Sequence, residues 1–123
     1  MTIIEAITKV DTLKHNTFEQ SEKIDWLSNL DAKVKKLIVD QHEGGEQVVF
    51  EGYDENTDLN TNLLVPAPFD EMYLRWLEAQ IDYYNDEIER YNASITLFNT
   101  AYEAFCKYYT RTHMPKGHKI TFF

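Results

Sequence analysis

The sequence predicts a single, mainly α-helical domain over residues 1–123. It has three to four helices, including a long C-terminal helix or helical hairpin, and one small β-hairpin. Apolar residues recur at Leu74, Leu77, Ile81, Tyr84, Ile88, Tyr91, Ile95, Phe98, Tyr102, Phe105 and Tyr109, in alternating steps of three and four. No Gly or Pro interrupts residues 69 to 114. After Gly45 the helical period gives way to Val48-Val49-Phe50 and Leu63-Leu64-Val65, β-branched and aromatic runs separated by turn residues.

The N-terminal helical part covers 1–45. Thr2 and Glu5 have capping-box spacing, and Ile3, Ile4, Ile7 and Val10 follow at helical intervals, which predicts a helix over 3–13. Asn16 and Thr17 offer a second N-cap, with Gln20 three residues after Thr17. Ile24, Leu27, Leu30, Val34, Leu37 and Ile38 then form an apolar face, with Lys23, Asp31, Lys33, Lys35 and Lys36 on the other. Gly44-Gly45 closes this helix, predicted over 18–42, because glycine enters the left-handed conformation cheaply.

Residues 46–66 read as a β-hairpin or a pair of short strands around Asp54-Glu55-Asn56-Thr57-Asp58. Two strands alone are marginal, so they need a helix face or a neighbouring subunit to lie on. Pro66 and Pro68 then set an extended approach to the 67–113 segment, whose first turn holds Asp70 and Glu71 at the positive end of the dipole. A single helix here would be about 65 Å long, against about 28 Å for a globule of this size. Asn92-Ala93-Ser94 is the plausible turn, but the heptad phase runs through it unchanged, so one helix and a hairpin both stay open. Glu71–Arg75, Asp86–Arg90 and Glu103–Lys107 have i,i+4 spacing and mark an exposed face. The remaining 114–123 is an extended tail, with Lys119-Ile120-Thr121-Phe122-Phe123 as an exposed strand.

An apolar fraction of 43% supports a genuine core, and a formal charge of −9 argues against gripping nucleic acid through phosphates or adhering to anionic membranes. Glu46, Glu51, Asp54, Glu55 and Asp58 make 46–58 acidic, whereas Lys116 and Lys119 make the tail basic, so the two can attract within or between copies. The single Cys106 excludes an internal disulfide and a cysteine-based zinc site. No signal peptide or membrane span is visible, so a soluble protein made in the cytoplasm is expected.

No chemistry-bearing motif is present. His15, His42, His113 and His118 lack metal-ligand spacing, and His42 and His113 read as helix-end residues. Glu78, Asp82 and Asp86 stack at four-residue intervals, and read as a solvated row rather than an acid/base pair. No catalytic residue, metal or cofactor is therefore expected. The surplus lies in aromatics: Tyr73, Trp76 and Tyr83 occupy a second face of the long segment beside the heptad stripe, more than one small domain is expected to cover. The predicted assembly interface is Trp76, Tyr83, Tyr84, Tyr91, Phe98, Tyr102, Phe105 and Tyr109, which favours a homo-oligomer.

Several runs carry a family likeness: Trp26-Leu27-Ser28-Asn29-Leu30-Asp31, Gly44-Gly45, Leu64-Val65-Pro66-Ala67-Pro68 and Ala79-Gln80-Ile81-Asp82. To these add Arg90-Tyr91-Asn92, Phe98-Asn99, Ala101-Tyr102 and Arg111-Thr112-His113-Met114-Pro115. Together they resemble small structural proteins of tailed bacteriophages and prophages, in particular the head–tail connector (adaptor) proteins that form a ring beneath the portal. The resemblance implies a non-enzymatic virion protein, made in the bacterial cytoplasm, that contacts its own copies and portal or tail-side proteins. A different class remains beside it, an acidic adaptor or inhibitor of a basic protein acting through 46–58.

Overall fold

A computed structural model describes residues 1–116, and these form four α-helices: α1 (Ile3–Leu13), α2 (Gln20–Leu37), α3 (Met72–Tyr84) and α4 (Ile88–Thr112). Single 3-10 turns at Val39–Gln41, Gly45–Gln47 and Phe69–Glu71 link them. The expected extended segment Lys119–Phe123 and His118 lie outside the described residues.

Local chemistry accounts for α1. The Glu5 amide donates to Thr2 Oγ1 and the Thr2 amide to Glu5 Oε1, both at 3.2 Å, closing the predicted capping box. The remaining free donors of the first turn are met from outside: Ile3 and Ile4 donate to the carbonyls of Thr61 and Leu59 at 3.1 and 3.0 Å. Helix α2 starts at Gln20, later than its sequence signals. The Glu19 amide is capped by the Glu22 carboxylate at 3.0 Å, while Asn16 accepts from the Phe18 amide and organises the connecting loop. The helix also ends earlier than expected, at Leu37, and tightens into the 3-10 turn before the glycines. Gly44 has φ +85°, and a Cβ on Gly45 would collide with the Val39 carbonyl, so both glycines are needed where the chain reverses.

The heptad stripe is broken, and by a different turn from the predicted one. Residues 92–94 continue α4, and the chain turns at Asn85–Asp86–Glu87, where Asp86 takes the left-handed conformation with φ +58°. Aspartate tolerates that conformation better than most residues, so no glycine is required. The result is a helical hairpin in which α3 and α4 form the most extensive helix contact of the molecule. Helix α3 is also the central element, touching α1 and α2 on its remaining sides. Tyr73 is fully buried as a consequence and Trp76 half-buried, while Tyr83 stays exposed, so the second aromatic face of the long segment is covered only in part within one chain. The core runs from Ile3, Ile7 and Val10 through Leu27, Leu30 and Val34 to Leu77, Ile81, Phe98 and Phe105.

The predicted β-hairpin is absent: among the described residues there is no strand, only isolated bridges at Thr2–Asn62 and His42–Pro115. Side chains and helix ends take the backbone groups that a partner strand would have used. Tyr53, Leu64 and Val65 donate their amides to Ser28 Oγ, Asp31 Oδ2 and Tyr73 Oη at 3.0, 3.1 and 2.8 Å. Asp54 and Asp58 fold the intervening chain into tight turns by accepting from the Asn56 and Asn60 amides.

Asp31 departs furthest from its reading as a solvated residue of α2. It is fully buried and accepts from the hydroxyls of Tyr53 and Tyr73, each at 2.6 Å, as well as from Leu64. Among the described residues no cation pairs with it. Burial raises its carboxyl above the ordinary carboxylate range, outweighing the three donors that favour the charged form. Both tyrosine hydroxyls are pushed well above the usual range, by burial and then by Asp31, so they remain donors.

Tyr73→Phe removes a donor to Asp31 and the acceptor of the buried Val65 amide, and should cost about 2–3 kcal/mol in urea unfolding, against about 1 kcal/mol for Tyr53→Phe. Because Asp31 binds its proton more tightly folded than unfolded, its contribution is complete below its ordinary value of 3.8 and declines as pH rises through the raised folded value. The stability gap between wild type and Asp31→Asn should therefore be wider near about pH 4 than at about pH 7. A gap that narrows in acid would contradict this.

Candidate functional site

The α3–α4 turn carries the largest exposed group of aromatics. Tyr83 and Tyr84 end α3 and are 56% and 55% exposed, and Ile88 opens α4 at 66%. Five rings join in a continuous row across three helices and the loop before α2. Phe18, in the loop before α2, meets Trp26 at 5.3 Å between centroids, and Trp26 stacks on Tyr84 at 5.6 Å with the planes 5° apart. Tyr84 meets Tyr83 at 5.1 Å, and Tyr83 meets Tyr91 at 5.5 Å. The row lines two depressions. One, of about 530 Å³, lies between Tyr83, Tyr84, Ile88 and Tyr91, with Asp82 and Asp86 at its wall. The other, of about 220 Å³, is formed by Phe18, Trp26, Tyr84, Glu22 and Asp25.

A buried ion pair holds this end of the bundle in register. Asp82 is fully buried, and takes Lys14 Nζ at 2.6 Å from the end of α1 and Ser94 Oγ at 2.8 Å from α4. Its carbonyl also accepts from the Glu87 amide at 2.9 Å, closing the inter-helix turn. The row Glu78, Asp82 and Asp86 is thus not one solvated face: Asp82 is internal and Glu78 is mostly covered, while Asp86 is exposed. Lys23, also assigned to a solvated face, is buried along its stem and pairs with Asp11 at 2.6 Å. Of the expected i,i+4 pairs, Glu71–Arg75 forms at 3.2 Å, but Arg90 binds Glu87 instead of Asp86. Among the described residues Lys107 forms no ion pair with Glu103.

The eight residues expected at an assembly interface separate into three groups. Tyr83 and Tyr84 are exposed and Tyr91 half-buried, all in the row at the turn. Trp76 and Tyr102 are half-buried along the α3–α4 seam. Trp76 donates its indole N–H to the Trp26 carbonyl at 2.8 Å, lies under Lys33, and packs against Phe98 at 5.0 Å. Phe98, Phe105 and Tyr109 are buried inside the chain's own core. Phe18 and Trp26 were missed, because no local signal in α2 announces a contact with a residue so far along the chain as Tyr84.

At the opposite end, the imidazole of His42 meets Tyr109, while Tyr109 stacks on His113 at 3.8 Å. His42 Nδ1 lies 2.7 Å from the Ile38 carbonyl, the helix-end role expected of it. The Met114 carbonyl and the Lys116 amide bond to Glu43 and Gln41, and Lys116 approaches Glu46 at 3.9 Å. The expected attraction between the acidic middle and the basic tail is therefore represented within one copy by a solvated pair worth little.

Among the described residues no three His, Cys, Asp or Glu side chains stand close enough to hold a metal ion, and no helix is long and apolar enough to cross a membrane. No protein family, curated protein or solved structure matches this chain.

Asp82→Asn leaves Lys14 facing a neutral amide in a half-buried position and should lower stability by roughly 3 kcal/mol, whereas Ser94→Ala should cost only about 1 kcal/mol. Thermal or urea unfolding of the two variants checks the order; equal effects would mean that Lys14 is solvated.

Proposed function

We propose that the protein is a non-enzymatic structural subunit of a tailed-phage virion, a head–tail connector that assembles into an oligomeric ring with portal or tail-side neighbours. The observation that carries assembly is the exposed group Tyr83, Tyr84 and Ile88, flanked by the half-buried Phe18 and Tyr91 and backed by the buried Trp26, an apolar surface left open at the end of α3. Tyrosine and tryptophan bury large area on association while keeping a polar tip satisfied, so such a row favours a protein interface over a small-molecule site. The phage assignment is supported by the sequence resemblance alone.

A second reading, an acidic adaptor for a basic protein, is favoured by Glu51, Asp54, Glu55 and Asp58. All four are exposed, and among the described residues none pairs with a cation. It calls for binding that weakens steeply with salt and is lost when Glu51, Asp54 and Glu55 are neutralised.

Sedimentation over a concentration series separates the two. The wild type should form oligomers, and Tyr83→Ser/Tyr84→Ser should reduce association by about tenfold or more while changing Tm by only a few degrees, since both side chains are half exposed. A wild type that stays monomeric up to its solubility limit would overturn the assembly reading.

A further inference from the structure

The aromatic end of the bundle carries acids without cationic partners: among the described residues Glu22, Asp25 and Asp86 form no ion pair, and all three line its depressions. The other end of α4 carries the complement. Lys107 and Arg111, with Cys106 and Thr110, line a shallow groove of about 400 Å³ and likewise form no ion pair. Tyr91 and Arg111 are about 30 Å apart along one helix, so the two charge sets cannot meet within one copy.

We infer that this protein associates head to tail, the acidic aromatic end of one copy receiving the Lys107–Arg111 face of the next. The inference rests on the assembly reading above and adds the two surfaces and their polarity. The physical pairing is specific. A guanidinium or ammonium over a Tyr face gains cation–π attraction, and carboxylates at the rim complete the neutralisation. Tyr83, Tyr84 and Tyr91 supply the faces, and Asp86 and Asp25 the charge. Overall charge opposes contact, because each copy carries −9. At about 0.15 M salt, however, screening acts over roughly 8 Å, which removes the repulsion between whole bodies and leaves charges in contact to decide. Two different patches meeting in this way make a heterologous interface, which adds copies in one direction until a rotation closes it.

Two variants test this in the full chain: Asp25→Lys/Asp86→Asn at the acidic end, with Asn chosen because it accepts the left-handed conformation at 86, and Lys107→Glu/Arg111→Glu at the basic end. Each alone should associate about tenfold more weakly than wild type or worse. Mixed in equal amounts, they should form a two-copy complex and nothing larger, because one keeps only the basic face and the other only the acidic end. Wild-type oligomers accompanied by variants that assemble unchanged, or by a mixture that stays monomeric, would overturn the polarity and leave the assembly reading standing. A wild type that does not associate overturns both, including the case in which an Arg-rich peptide binds the aromatic end of a monomer. If either double variant loses its helical circular dichroism, Asp25→Asn and Arg111→Gln are measured in its place, with the same outcomes deciding.

Discussion

A carboxyl group with no cation beside it among the described residues organises the long irregular connection between α2 and α3. Asp31 reaches from α2 to the hydroxyls of Tyr53 and Tyr73 and to the amide of Leu64, and Tyr73 in turn receives the amide of Val65. Among the described residues no strand pairs with 48–65, whose amides at Tyr53, Leu64 and Val65 go to acceptors supplied by the side chains of α2 and α3. The same segment gives carbonyls to the first turn of α1. One buried acid thus ties the loop to α2 and α3, and the loop closes the exposed end of α1. An unsatisfied group in this network costs more than any single bond in it contributes.

What could be read from the sequence was what depends on near neighbours. Helix α1 was legible to the residue because Thr2 and Glu5 determine its start within one turn. Asp31 and Asp82 looked like solvated charges because the groups that make them internal lie far along the chain: Tyr73 and Tyr53 for Asp31, Lys14 and Ser94 for Asp82. The β-hairpin failed for the same reason, since its β-branched runs were genuine but their amides found side-chain acceptors. The turn in the long stripe is expected at Asn92-Ala93-Ser94 and forms instead at Asn85–Asp86–Glu87, where Asp86 takes the left-handed conformation. With α4 continuous through residue 94, Ser94 reaches across the hairpin to Asp82.

Half of the candidate surface was similarly legible. Tyr83 stood out as an aromatic beyond the heptad stripe, and Tyr84 and Tyr91 as aromatics within it. Phe98, Phe105 and Tyr109 belong to the same pattern and are inside, because a folded-back hairpin buries the seam that one straight helix would have exposed. Phe18 and Trp26 complete the row from a different part of the chain, and only the stacking of Trp26 on Tyr84 reveals it.

In the assembly proposed above, that stack bears on how selectively a neighbour would be accepted. Rings already seated against one another have few rotamers left to lose, so ordering them at contact subtracts little from the free energy of association. A surface frozen before encounter also cannot remould itself around an ill-fitting companion. In that assembly it would discriminate by rejecting wrong shapes outright, with its affinity set by the match it meets.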